Sequence, residues 1–249
     1  MDFWQKQIDR ASELAAGSNE LLVFYTQLLH AQREIGEFLR TRRLAGKLEE
    51  DLPLFRPKLN TILSVAEDAG PPPLVEQARV LKTAPAQEVD EMLMAYWAAP
   101  ADTEFFAKSF LQPYGQHTCE GQGRPAFDEK RCPFCGGKPQ LSFLQNKEAA
   151  ESGNRDLMCA KCLSTWPFRR VVCASCGEEN PVKLGYFQTT AIDHVRIEAC
   201  DTCKHYIKGV DLTRLGIAQP LVDEVAAAPL DLWATEHGYK KIALNLVGL

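Results

Sequence analysis

Eight of the nine cysteines in this chain fall into four Cys-x-x-Cys pairs: Cys132 with Cys135, Cys159 with Cys162, Cys173 with Cys176, and Cys200 with Cys203. The first and second pairs begin 27 residues apart, and so do the third and fourth. Adding 41 to each position of the first half gives the second, and the same shift carries Gly136 onto Gly177 and Arg155 onto Arg196. Two copies of one supersecondary unit are the economical reading. A Cys-x-x-Cys turn presents two sulfurs to one ion, and the Cys-Gly steps at 135–136 and 176–177 suit that turn. Four thiolates complete a tetrahedral shell and leave no open position for a substrate.

Pairing within each half sets Cys132, Cys135, Cys159 and Cys162 around one ion and Cys173, Cys176, Cys200 and Cys203 around another. Interleaved pairing is the alternative. The expected sites are of the zinc-ribbon or rubredoxin kind, and an all-sulfur shell does not choose between zinc and iron. A purely structural ion is the plainer reading; iron would add the possibility of electron transfer. Units this small bury too little apolar area to stand alone, and a structural zinc supplies on the order of 10–16 kcal/mol at neutral pH. The region is therefore expected to lose its fold without metal.

Residues 1–115 read as a helical domain. Phe3, Trp4, Ile8, Ala11, Leu14 and Ala15 recur at helical spacing, as do Leu21, Leu22, Tyr25, Leu28, Leu29, Gln32, Ile35 and Leu39, with Ser18 or Asn19 as the cap. Pro53 and Pro57 mark the start of a third helix that Gly70 ends, Leu74–Leu81 and Val89–Trp97 present further apolar faces, and Thr103 caps a segment that Pro113 stops. Residues 116–127 have turn composition and read as a linker. Residues 128–168 and 169–210 are the two metal-binding units, in which Gln140–Leu144, Arg155–Met158, Val182–Phe187 and His194–Ala199 are short β-prone runs. Residues 211–249 return to helical composition. The fold class is α+β.

The hydrophobic fraction of 45% and charged fraction of 24% are those of a globular chain. Neither a basic start followed by an apolar run nor a stretch of about 18 apolar residues occurs, so a cytoplasmic protein with no membrane partner is expected. The net charge is -5, and residues 126–210 carry 12 Lys and Arg against 10 Asp and Glu. Eight thiolates and two divalent ions would bring that region to about -2, which argues against a zinc-ribbon nucleic-acid binder.

Outside the pairs, Trp166, Phe168, Arg169 and Arg170 lie between the repeats. Trp166, Arg169 and Arg170 are candidates for a partner surface; packing of the indole at the seam, with the arginines solvated or paired, is the alternative. Cys119 with His117, and the imidazoles of His194 and His205, are possible extra ligands that four sulfurs make unnecessary. No catalytic triad order, phosphate-binding glycine loop or H-E-x-x-H helix is visible, so no catalytic residue is assigned.

The runs C-P-F-C-G-G from Cys132, R-D-L-M-C-A-K-C-L-S-T-W from Arg155, R-V-V-C-A-S-C-G from Arg170 and E-A-C-D-T-C-K-H-Y-I-K from Glu198 resemble the FdhE family of formate dehydrogenase accessory proteins. The likeness extends to F-L-Q-P-Y from Phe110 and D-L-W-A-T-E-H-G-Y from Asp231. It implies a non-enzymatic cytoplasmic maturation factor, or chaperone, that binds the catalytic subunit of a respiratory formate dehydrogenase. It also implies rubredoxin-like iron binding by the eight cysteines, with zinc open. Where relatives carry His after the tryptophan, this chain has Pro167. A rubredoxin-like electron-transfer or thiol redox protein is the rival function.

Overall fold

In the computed structural model, which describes residues 2–16, 19–101, 103–123, 129–145 and 154–249, the chain forms two compact units, Met1–Glu120 and Gly121–Val247. The first consists of helices α1 (Phe3–Ala15), α2 (Glu20–Arg40), α3 (Leu48–Phe55), α4 (Leu59–Ala69), α5 (Pro72–Thr83), α6 (Ala86–Ala98) and α7 (Phe105–Cys119), with a 3-10 turn at Arg56–Lys58. The stripe Leu22, Tyr25, Leu28, Leu29, Ile35 and Leu39 of α2 is buried as its spacing predicts. Asn19 caps that helix, its side-chain oxygen accepting from the Leu22 amide at 3.2 Å; Ser18 lies outside the described residues. Among the described residues, no helix is long and apolar enough to cross a membrane.

Two prolines depart from their expected roles. Pro53 does not open a helix; it lies inside α3, which begins at Leu48. Buried Asp51 ties down the entry to α3 by accepting from the amides of Ala45 at 2.7 Å and Gly46 at 2.9 Å, and from the Tyr114 hydroxyl at 2.9 Å. Pro113 does not end α7, which runs on to Cys119 through residues with turn composition. A helical proline leaves the carbonyl four residues back without its donor. Here that carbonyl, on Ser109, accepts instead from the Gln32 side-chain amide of α2 at 2.9 Å. The ring of Phe55 stacks on Phe110 and Tyr114, with centroids 5.0 and 5.2 Å away. The F-L-Q-P-Y run is therefore core.

The second unit carries β1 (Pro139–Gln145), β2 (Asn154–Cys159), β3 (Thr165–Pro167), β4 (Leu184–Thr189), β5 (Ile192–Cys200) and β6 (His205–Asp211). After these come α8 (Pro220–Ala226), α9 (Ala228–Glu236) and the two-residue β7 (Lys240–Lys241). The strands form one sheet in the order β3-β2-β1-β6-β5-β4, with β7 also beside β6. Within each half the neighbouring strands are antiparallel. The halves join head to tail, because β1 of the first pairs in parallel with β6 of the second, Leu141–Leu144 against Lys208–Asp211.

Each face of this junction holds buried charge. On one face Glu198 accepts from Arg155 at 2.6 Å, Arg196 at 2.8 Å and Ser142 at 3.0 Å, so the two arginines related by the 41-residue shift meet on one carboxylate. Arg155 also donates to the carbonyls of Arg169 at 2.9 Å and Val172 at 3.2 Å. Gly209 makes room, since a Cβ there would stand 2.6 Å from a Glu198 oxygen and 3.0 Å from Ser142 Oγ. Burial opposes ionisation of Glu198, but Arg155 and Arg196 outweigh it and hold the carboxyl below its ordinary value.

The opposite face, set by strand alternation, carries Lys208 beneath α8 and α9. Its Nζ bonds Asp231 and the Glu224 carbonyl and lies 3.1 Å from the Glu224 carboxylate. Lys241 from β7 pairs with Glu224 and stands 3.4 Å from Asp231. Tyr206 at 2.8 Å and Asn245 at 2.9 Å complete the shell. Removing one member of a buried pair leaves its partner uncompensated, so Lys208→Met should lower the stability of the second unit by about 3–5 kcal/mol. Urea denaturation of the metal-loaded protein checks this; a change within error of zero would mean that the network is dispensable.

Candidate metal centres

Every cysteine pair closes the same tight turn. The residue after the second cysteine has positive φ in all four cases: Gly136 at 70°, Leu163 at 58°, Gly177 at 86° and Lys204 at 55°. Its amide returns to the carbonyl of the first cysteine at 2.8, 3.2, 3.0 and 2.8 Å respectively. Glycine meets that left-handed backbone at no cost in two turns, whereas Leu163 and Lys204 are held there against preference. The 41-residue shift superposes Leu163 on Lys204, so the repeat extends to these positions.

The turns gather the sulfurs into two sets. Cys132, Cys135, Cys159 and Cys162 form one and Cys173, Cys176, Cys200 and Cys203 the other, with all Sγ atoms of a set within 4.8 Å of one another. A tetrahedron with metal–sulfur bonds of about 2.3 Å has edges of about 3.8 Å. In the second set Cys173 lies 3.7 Å from Cys203 and Cys176 lies 3.7 Å from Cys200. In the first the recorded separations run from 3.3 to 3.6 Å. The donors are all soft sulfurs, and backbone amides turn toward several of them: Lys161 N to Cys159 at 3.3 Å, Ser175 N to Cys173 at 3.4 Å, and the amides of Glu178 and His205 to Cys176 and Cys203. Donor chemistry and spacing therefore fit two tetrahedral zinc or iron ions.

Exposure differs between the sets. Cys132, Cys159 and Cys162 are buried and Cys135 half-buried, whereas Cys176 is exposed and Cys203 half-buried. Without metal, the crowded sulfurs and burial push the Cys159 thiol well up, and burial raises that of Cys173. Loading must displace those protons, so metal retention strengthens as pH rises and weakens as it falls.

The other candidate residues are more scattered. Trp166 is only 1% exposed, and its Nε1 donates to the Glu129 carbonyl at 2.6 Å, so the indole is not available to a partner. Phe168 is buried under the Arg155 guanidinium, 5.3 Å from its ring centroid. Arg169 and Arg170 are exposed; Arg169 pairs with Glu179 at 2.9 Å, and the Arg170 carbonyl accepts from the Tyr186 hydroxyl at 3.1 Å. His194 contacts Asp223 at 2.9 Å and the His205 ring contacts the Cys203 carbonyl at 2.8 Å, so neither joins a sulfur set. His117 and Cys119 stand on α7, outside both sets. Reading the cysteines alone overlooks Gly137, where a Cβ would stand 2.7 Å from Cys159 Sγ and 3.3 Å from Cys135 Sγ. The signal was a second glycine directly after Cys-Gly in the first half only.

Comparison with known proteins places these observations. Residues 131–170 match the family model "FdhE, central domain" and residues 171–247 match "FdhE, C-terminal domain". A protein FdhE homolog of Aquifex aeolicus is 31% identical over 272 aligned positions, covering 99% of this chain and 95% of the relative. A homolog of Shewanella oneidensis is 31% identical over 122 positions, covering 49% of this chain and 39% of that protein. The crystal structure of the FdhE protein from Pseudomonas aeruginosa shares the fold, with a TM-score of 0.75 at 21% identity over 99% of this chain and 95% of that one.

Gly137→Ala should crowd the first set and lower the metal content from two ions per chain toward one. Metal analysis of the purified variant checks this, and undiminished content would show that the close approach is not needed.

Proposed function

The chain belongs to the FdhE family, and from that membership we propose that it is a non-catalytic accessory protein in the maturation of a respiratory formate dehydrogenase. In this reading it works in the cytoplasm on the catalytic subunit, without nucleic acid or membrane as a partner. Residues 128–168 and 169–210 are its two metal-binding units. Cys132, Cys135, Cys159 and Cys162 hold one ion and Cys173, Cys176, Cys200 and Cys203 the other, with iron preferred over zinc. When bound, such an ion crosslinks two turns and, if it is iron, can also take up or give an electron.

The observation that carries this reading is the convergence of eight sulfurs into two closed groups. Closed shells of four protein donors suit holding and shaping rather than substrate activation. The exposed Arg169 and Arg170, on the segment between the units, are the side chains we assign to client contact.

Affinity capture with the full-length, metal-loaded chain is expected to recover the catalytic subunit of a formate dehydrogenase. Replacing both Arg169 and Arg170 by Glu should cut that recovery by about tenfold or more, since like charge opposed across an interface costs several kcal/mol. Folded, loaded protein that recovers no such subunit would overturn the assignment.

A further inference from the structure

The two sulfur groups share one spacing but not one architecture. In the first half the Ala160 amide, just after Cys159, bonds the Lys138 carbonyl at 2.9 Å; in the second the Asp201 amide, just after Cys200, bonds the Lys183 carbonyl at 2.9 Å. Lys138 lies three residues beyond Cys135, and Lys183 seven beyond Cys176. The second half thus has four more residues between its leading turn and its first strand. Its hairpin is correspondingly shorter, with β4 ending at Thr189 and β5 starting at Ile192, whereas β1 ends at Gln145 and β2 starts at Asn154. The 27-residue spacing survives because residues have moved from the hairpin to the neighbourhood of the sulfurs.

This transfer uncovers the second group. Around the first, the Gly137 main chain lies so close that a Cβ would meet Cys159 Sγ at 2.7 Å and the Lys161 Cβ at 3.2 Å. The 41-residue shift sets Glu178 at that position and Thr202 opposite Lys161. The Glu178 amide donates to Cys176 Sγ, whereas its carboxylate bonds elsewhere. One of its oxygens accepts from the amides of Glu179 at 3.0 Å and Asn180 at 2.9 Å, and the other accepts from the Thr202 hydroxyl at 2.6 Å. The Glu178–Thr202 side-chain hydrogen bond therefore links the two turns of the second group at the position where close main-chain packing closes the first. Beside this clasp, Cys176 is exposed and Cys203 half-buried.

We propose that the groups are kinetically unequal: the first holds its ion permanently, and the second is an exchange site open to an incoming thiolate donor at Cys176. The inference rests on the four-sulfur reading above and extends it. An incoming thiolate bonds the ion as the Cys176–metal bond breaks, and the freed Cys176 sulfur takes the proton that the incoming thiol gave up; no electron is transferred. The Glu178–Thr202 bond holds the turns together against this opening.

The full-length chain loaded with zinc at both groups and challenged with glutathione plus a chromogenic chelator tests the inference. One equivalent is expected to leave about tenfold or more faster than the other. Timed labelling with N-ethylmaleimide, mapped by mass spectrometry, should mark Cys173, Cys176, Cys200 and Cys203 before Cys132, Cys135, Cys159 and Cys162. Glu178→Ala should speed the fast phase and leave the slow one unchanged. Release of both equivalents at one rate, or labelling of the first group ahead of the second, would overturn the exchange-site assignment while leaving the four-sulfur reading intact. Failure of the folded chain to retain zinc in either group would overturn that reading itself and the inference with it.

Discussion

Four sulfurs brought within 4.8 Å of one another set the terms for the rest of the second unit. Such crowding has no favourable energy of its own, because buried thiols make weak hydrogen bonds and repel once ionised. An ion that bonded all four at once would offset that cost, and the donor set fits zinc or iron. The backbone is arranged to the same end: four turns reverse through positive φ, two of them at residues with side chains. Strain of that kind persists only where surrounding contacts over-determine it. The strands run into these turns, so the sheet and the sulfur groups form as one structure.

The two halves are then welded rather than strung together. Parallel pairing of β1 with β6 makes a continuous sheet from two antiparallel pieces. Glu198 fixes the alignment, since its carboxylate engages Arg155 from one half and Arg196 from its own over the space left by Gly209. Arg155 also grips the Val172 carbonyl, one residue before Cys173. An arginine of the first repeat thus helps to place the leading turn of the second. On the other face, Lys208, Lys241, Glu224 and Asp231 bring α8, α9 and β7 against β6. Buried ions offer little net stability over apolar residues, but they tolerate only one arrangement, and specificity of docking is the gain we assign to them here.

The repeat also shows how equal spacing can hide unequal structure. A metal turn and its hairpin share a fixed length between cysteine pairs, so residues removed from one must appear in the other. Gly137 and Glu178 occupy corresponding positions in different ways: the Gly137 main chain packs closely on Cys159 Sγ, whereas the Glu178 side chain reaches across to the Thr202 hydroxyl.

From the sequence alone the helical and β regions separated, because apolar period 3.6 gives way to short alternating runs where the cysteines begin. The grouping of sulfurs by half was likewise legible, since a Cys-x-x-Cys turn is local geometry and the 41-residue shift repeats it. Local composition does not reveal that α7 continues through Pro113, because a proline's cost depends on whether some distant donor satisfies the carbonyl it leaves free, and Gln32 stands 77 residues from Ser109; nor does it reveal that Pro53 lies inside α3. The union of two ribbons into one sheet, the buried charges on its faces and the burial of Trp166 were decided only in three dimensions. Local spacing carries the geometry of a turn, but it contains nothing about which strand edges and which charges, far apart along the chain, meet once water is excluded.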